Sequence, residues 1–127
     1  MMIVNNPDIL AEVTASFEEY EAALGANDLT ALGEFFWVSE SAVRYGTGEA
    51  LYGYDQIHAF RVARPGGSPS RTILRQVITT FGSDLATTNI EFRRAGSERV
   101  GRQSQTWVRL AEGWRVVSGH ISFQEVS

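Results

Sequence analysis

Apolar residues recur along this chain with two different periods, and the change between them divides it in two. Ile9, Leu10, Val13, Phe17, Tyr20 and Leu24 fall at helical spacing, with Glu12, Glu18, Glu19 and Glu21 off that stripe. Asn6-Pro7-Asp8 is the start signal for this helix, and Gly25 is its expected stop. Asn27-Asp28 caps a second, short helix through Leu29, Leu32 and Phe35. Ser41 to Gly46 alternates as a strand does, with Val43 and Tyr45 on one face and Ala42 and Arg44 on the other. Gly46, Gly48 and Gly53 then mark a loop or short hairpin. Asp55 is the expected cap of a third helix from Gln56 to Arg64, with Ile57 and Phe60 inward and Arg61 and Arg64 on a solvated face. Pro65 stops it, and residues 66–70 form an exposed loop.

The second half has the period of strands. Arg71 to Phe81 is rich in β-branched residues, Gly82-Ser83 turns the chain, and Asp84 to Arg93 returns. After the loop 94–97, Arg99 to Glu125 reads as a long hairpin. A three-residue turn, Ala111-Glu112-Gly113, with Gly113 at positive φ, sets its expected register. Leu110 then faces Trp114, Val108 faces Val116, Thr106 faces Ser118, Ser104 faces His120 and Arg102 faces Ser122. One face is apolar near the turn and carries Arg102, Ser104, His120 and Ser122 further away; the other carries Trp107, Val117, Gln103, Gln105, Ile121 and Phe123. The expectation is a polar cluster lining a pocket, with the second face covered by another subunit. Helix, helix, short strand, helix and four meandering strands define an α+β fold, in which helices cover one concave face of an antiparallel sheet.

Composition narrows the chemistry. At 127 residues the chain is one expected domain, 1–127, with 43% hydrophobic and 20% charged residues. A net charge of -4 argues against a nucleic-acid or anionic-membrane partner. All eleven basic residues are arginine, which excludes lysine chemistry and leaves planar forks suited to carboxylate or phosphate. With no cysteine there is no disulfide or thiolate chemistry, and His58 and His120 have no metal-ligand spacing around them, so neither metal nor cofactor is expected. The N-terminus lacks the pattern of a signal peptide and no run is long enough to span a membrane, so the expected location is cytoplasmic.

Tyr20 lies on the buried stripe, so its hydroxyl is carried inward and must find a partner there. A backbone carbonyl would satisfy it as a plain core tyrosine. Arg44 has a structural alternative as well, an ion pair with Glu49 or Glu34. His120 could be a core histidine bonded to Ser104 or Ser122.

The element order and the closing Trp114-Arg115-Val116-Val117 strand with His120 and Ser122 resemble the nuclear-transport-factor-2-like fold, also called SnoaL-like or cystatin-like. That resemblance implies a cone: a curved sheet wraps a pocket and the N-terminal helices close it. Taken together, Phe17 to Tyr20, Phe35 to Trp37, Val43 to Gly46, Leu51 to Gly53, Phe60 to Pro65 and Gly101 to Trp107 are similar to a small family linked to oxalurate and cyanuric-acid catabolism. The family includes a decarboxylating amidohydrolase of a dicarboxylated urea. For that enzyme the resemblance implies a tyrosine on the first helix and an arginine on the first strand as catalytic residues, which match Tyr20 and Arg44. The expected function is a metal-free hydrolase of a small carboxylated amide or urea, bound as an anion with help from Arg102, Ser104 and His120. Two alternatives stand beside it: a non-catalytic anion-binding or assembly subunit, and a steroid-isomerase-type enzyme, which would need Glu49, Asp84 or Glu91 as base. A homodimer through the outer face of the sheet is expected.

Overall fold

A computed structural model describes residues 1–125. Helix α1 spans Pro7–Ala26 and α2 spans Leu29–Phe35; strands β1 (Val43–Tyr45) and β2 (Ala50–Tyr52) precede α3 (Tyr54–Ala63). Four long strands follow: β3 (Arg71–Phe81), β4 (Leu85–Arg94), β5 (Val100–Leu110) and β6 (Gly113–Phe123). They form one six-stranded sheet in the order β2-β1-β6-β5-β4-β3. The architecture is the α+β cone that the sequence predicts. β3 to β6 are an antiparallel meander, and β1 joins at the far edge by pairing parallel to β6.

The helix boundaries follow from their caps. The Asn6 side chain accepts from the backbone N–H of Asp8 at 3.0 Å, and that of Asp28 accepts from Ala31 N–H at 3.1 Å. Two expected boundaries are corrected. α1 runs one residue past Gly25, because Asn27 takes the left-handed position at φ 50° that was expected of the glycine. α3 begins at Tyr54, with Gly53 as its cap, and Asp55 lies inside the first turn.

The terminal hairpin carries the larger correction. Its turn is two residues long, so Leu110 pairs with Gly113, Arg109 with Trp114 and Val108 with Arg115. Gly113 still takes a positive φ, at 123°. A β-bulge at Val117 then absorbs the offset, so that Trp107 pairs with Val116 but Thr106 with Ser118, as expected. Beyond the bulge Ser104 faces His120 and Arg102 faces Ser122, also as expected. What changes is the side they occupy. Arg102, Ser104 and His120 are exposed on the outer face, whereas Gln103, Gln105 and Trp107 are buried on the inner one. The bulge reverses the alternation of β6, and so Trp114 and Val116 join Trp107 inside. The Trp107, Ile121 and Phe123 face is therefore not an exposed back awaiting a second subunit. It packs into the core under the helices.

That core joins Val13, Phe17 and Tyr20 of α1 to Phe36, Ile57, Phe92, Trp107 and Val116. Trp107 is fully enclosed, and its indole N–H donates to Thr88 Oγ1 at 3.0 Å. Truncation of a tryptophan so placed costs about 3–5 kcal/mol. Beside it, Phe92 lies flat over Gly101, its partner across β4 and β5: a Cβ at 101 would sit 2.3 Å from the ring. No helix among the described residues is long and apolar enough to cross a membrane.

Candidate functional site

Three elements bring a phenol and two guanidiniums together in the interior. Tyr20 follows Val13 and Phe17 on the buried stripe of α1, and its ring packs against Phe35, Phe36 and Trp107. Arg61 follows Ile57 by one turn on the buried side of α3. Its Nη2 donates to the Tyr20 hydroxyl at 2.7 Å, and its guanidinium lies 5.4 Å from the Phe36 ring centre. Arg44 comes from β1, opposite Gly119 of β6, where no side chain competes for the inner face. Its Nη1 donates to Glu49 Oε1 at 3.0 Å, and it lies 5.4 Å from the Phe60 ring centre.

A second layer stands next to this one. Arg71, at the start of β3, grips Glu21 with two nitrogens, the Nε contact being 3.3 Å. The same guanidinium donates to Gln103 Oε1 at 3.1 Å and covers the Phe92 ring at 4.5 Å. Arg94 lies 4.7 Å from the centre of Phe123, and Arg64 lies 5.9 Å from the centre of Phe60. Among the described residues Arg61, Arg64 and Arg94 have no carboxylate partner, while Arg44 and Arg71 have one each. In a chain that is acidic overall, this interior is strongly basic.

The charges act on one another. Burial by itself would raise the Tyr20 pKa. The charges of Arg61 and Arg44, the hydrogen bond from Arg61 and the charge of Arg71 outweigh it, and the phenol titrates below its ordinary value. Burial lowers the pKa of Arg44, and so does Arg61, while Tyr20 and Glu49 hold it up. Arg94 is lowered by burial and by the like charges of Arg64, Arg71 and Arg44. Such a set favours any ligand that brings negative charge into it.

Of the residues expected from sequence, the interior unites Tyr20 and Arg44. Arg44 does pair with Glu49, the structural alternative, yet remains beside Tyr20. Arg102, Ser104 and His120 are on the opposite face of the sheet and do not line the interior. Ser104 Oγ instead meets Asn89 Oδ1 at 2.6 Å, and His120 stacks edge-on to Tyr45 at 5.6 Å. The reason is the choice of face at the hairpin. Each face is half apolar, and the one with Trp107 goes inside. Arg61, Arg71, Arg94 and Gln103 were missed. Two of them had a signal: Arg61 is four residues after Ile57 on a helix, and Gln103 is four residues before Trp107 on a strand. Among the described residues no three of His, Cys, Asp and Glu gather closely enough to hold a metal ion. A separate surface cleft of about 710 Å³, lined by Leu29, Trp37, His58 and Leu110, opens between α2, α3 and the hairpin turn.

The curved sheet closed by helices is the nuclear-transport-factor-2-like, or cystatin-like, fold. Within it the chain belongs to the AtzH-like family, whose family model matches residues 2–127. A protein of the DUF3225 family from Pectobacterium atrosepticum is 52% identical, with 96% of this chain and 95% of that chain covered and a TM-score of 0.93. A cystatin-like fold protein from Burkholderia xenovorans is 44% identical over 100% of both chains, with a TM-score of 0.94. A nuclear-transport-factor-2-like superfamily protein from Salmonella enterica, 23% identical over 94% of both chains, has a TM-score of 0.74. No curated protein matches the chain.

Proposed function

We propose that the interior binds a small carboxylated amide or urea as an anion and hydrolyses it, with Tyr20 and Arg44 as the catalytic residues. The observation that carries this reading is the Arg61–Tyr20 hydrogen bond of 2.7 Å inside a basic shell. A lowered pKa and a bond accepted from a cation both favour the phenolate of Tyr20, and the phenolate is the general base in this reading. Tyr20 takes a proton from water as the water oxygen attacks the substrate carbonyl carbon. Arg44 holds the oxyanion that forms. Collapse of that intermediate breaks the carbon–nitrogen bond, and the Tyr20 hydroxyl returns its proton to the leaving nitrogen. Arg61, Arg64 and Arg94, which lack carboxylate partners among the described residues, supply charge for the substrate carboxylates.

The isomerase alternative has less support. Asp84 pairs with Arg109, Glu91 follows the outer side of β4, and Glu49 is held by Arg44. None of these three acids offers a free carboxylate to the interior. The test is a thermal-shift series with malonate, oxalurate and a steroid, followed by assays of ammonia and carbon dioxide release. Ligand stabilisation grows as RT ln(1 + [L]/Kd), so weak binders are visible at high concentration. Stabilisation by dianions that Arg44→Ala abolishes, with turnover that Tyr20→Phe abolishes, supports the hydrolase. Binding without turnover supports an anion-binding subunit, and a response to the steroid alone overturns both.

The outer face is proposed to pack against a second copy of the chain. Leu74, Val77, Leu85, Tyr45 and Tyr52 are exposed on this sheet and supply apolar area among Thr, Ser and His residues. This replaces the surface expected from sequence.

A further inference from the structure

We infer that Gln103 reads the neutral carbonyl oxygen of the ligand, and so makes the site selective for acids that carry an amide or urea over plain dicarboxylates. The inference rests on the anion-binding reading above and adds a determinant to it. Gln103 is 2% exposed, on the inner face of β5. Its amide has a defined direction. Arg71 can only donate, so the atom 3.1 Å from its Nη2 must be the amide oxygen, and the NH₂ group must face away.

That NH₂ group is buried and has no hydrogen-bond partner among the described residues. A buried donor without an acceptor has lost its water and gained nothing in return, so it destabilises the unliganded site. The sheet offers no remedy, since the residues paired with Gln103 on either side are Ile90 and Ile121. Phe92, one pair further along the inner face, is also hydrocarbon and is covered by Arg71. The amide is held rigidly as well: Glu21 clamps Arg71, and Arg71 clamps Gln103. Gln103 shares the inner face of β5 with Trp107, against whose ring Tyr20 packs at 6.1 Å between centroids, so this chain of contacts borders the proposed reaction centre. An acceptor-only, uncharged oxygen next to a carboxylate is the group that such a donor completes. A plain dicarboxylate would leave it unpaired.

Two ligands of equal charge and chain length separate the possibilities: N-oxalylglycine, which has a central amide carbonyl, and glutarate, which has none. Binding is measured by calorimetry on the full chain. Wild type is expected to prefer N-oxalylglycine by about tenfold or more, since a site built to bond a polar group rejects the analogue that lacks it. Gln103→Leu is expected to remove that preference, bringing N-oxalylglycine down about tenfold relative to glutarate. Circular dichroism reports whether each variant folds, and Gln103→Met serves if the leucine variant does not. Equal loss of both ligands, or retention of the preference in the variants, overturns the role of Gln103 while the anion site stands. Failure of wild type to bind either ligand overturns the anion-binding reading, and the inference with it.

Discussion

The guanidinium of Arg61 and the hydroxyl of Tyr20 are 41 residues apart in the chain and 2.7 Å apart in the fold. Nothing local in the sequence joins them. They meet because α1 and α3 each present one polar residue on an otherwise apolar side, and both sides close over the same sheet. Among the described residues Arg61 has no carboxylate partner, and its charge, together with those of Arg44 and Arg71, lowers the Tyr20 pKa.

Removal of the Arg61 charge should therefore raise the Tyr20 pKa. In Arg61→Met the tyrosinate absorbance that develops below the ordinary phenol range should lose a component that Tyr20→Phe also removes from wild type. If the wild-type and Arg61→Met titrations coincide, Arg61 does not control the phenol.

The same shift makes stability depend on pH. Tyr20 titrates below its unfolded value of about 10, so between the two values the unfolded chain binds more protons than the folded one. Wild type should gain stability relative to Tyr20→Phe as pH rises through that window, and the contribution should vanish below the folded pKa. Denaturant melts at a series of alkaline pH values, with both proteins, measure the difference.

Arg44→Lys keeps a charge but loses the planar fork. It should keep part of the dianion-induced thermal shift and lose most turnover, whereas Arg44→Ala should lose both. Melting curves with and without malonate, together with ammonia release, give the comparison.

Gly101→Ala should destabilise the fold by about 1–3 kcal/mol, because its Cβ would overlap the Phe92 ring. The Arg71 guanidinium rests on that ring, so dianion affinity should fall as well. Chemical denaturation and calorimetry report the two effects separately.

An outward charge on β5, such as Thr106→Glu, should weaken self-association and leave dianion binding unchanged, if two copies meet through the outer face. Sedimentation velocity over a range of concentrations distinguishes this from a wild type that is already monomeric.

How much of this was legible in the sequence depends on the period of each element. α1 was readable to within a residue because its stripe is long and its cap is unambiguous, and with it came the burial of Tyr20. Two-residue alternation in β1 separated Arg44 from Val43 and Tyr45, but its place in the site came from the family resemblance. The hairpin was readable in pairing but not in side. Its strands alternate between two half-apolar faces, and the two-residue turn and the bulge cancel in register, so neither leaves a trace beyond Thr106. Arg102, Ser104 and His120 were assigned inward on that ambiguity. Arg61 was assigned outward because charge on a helix is ordinarily solvated, a rule that an unpaired phenol on another element overrides. The spacing of Gln103 to Trp107 was a signal for its face, but its orphaned amide became visible only with its cross-strand neighbours Ile90 and Ile121.

The bulge at Val117 has an evolutionary corollary. Deleting that one residue would restore strict alternation without moving any side chain to the other face, because Val116 already points inward beside Trp107 and Ser118 outward beside Thr106. A codon gained or lost at this one site therefore changes the twist of β6 and spares the lining of the cup.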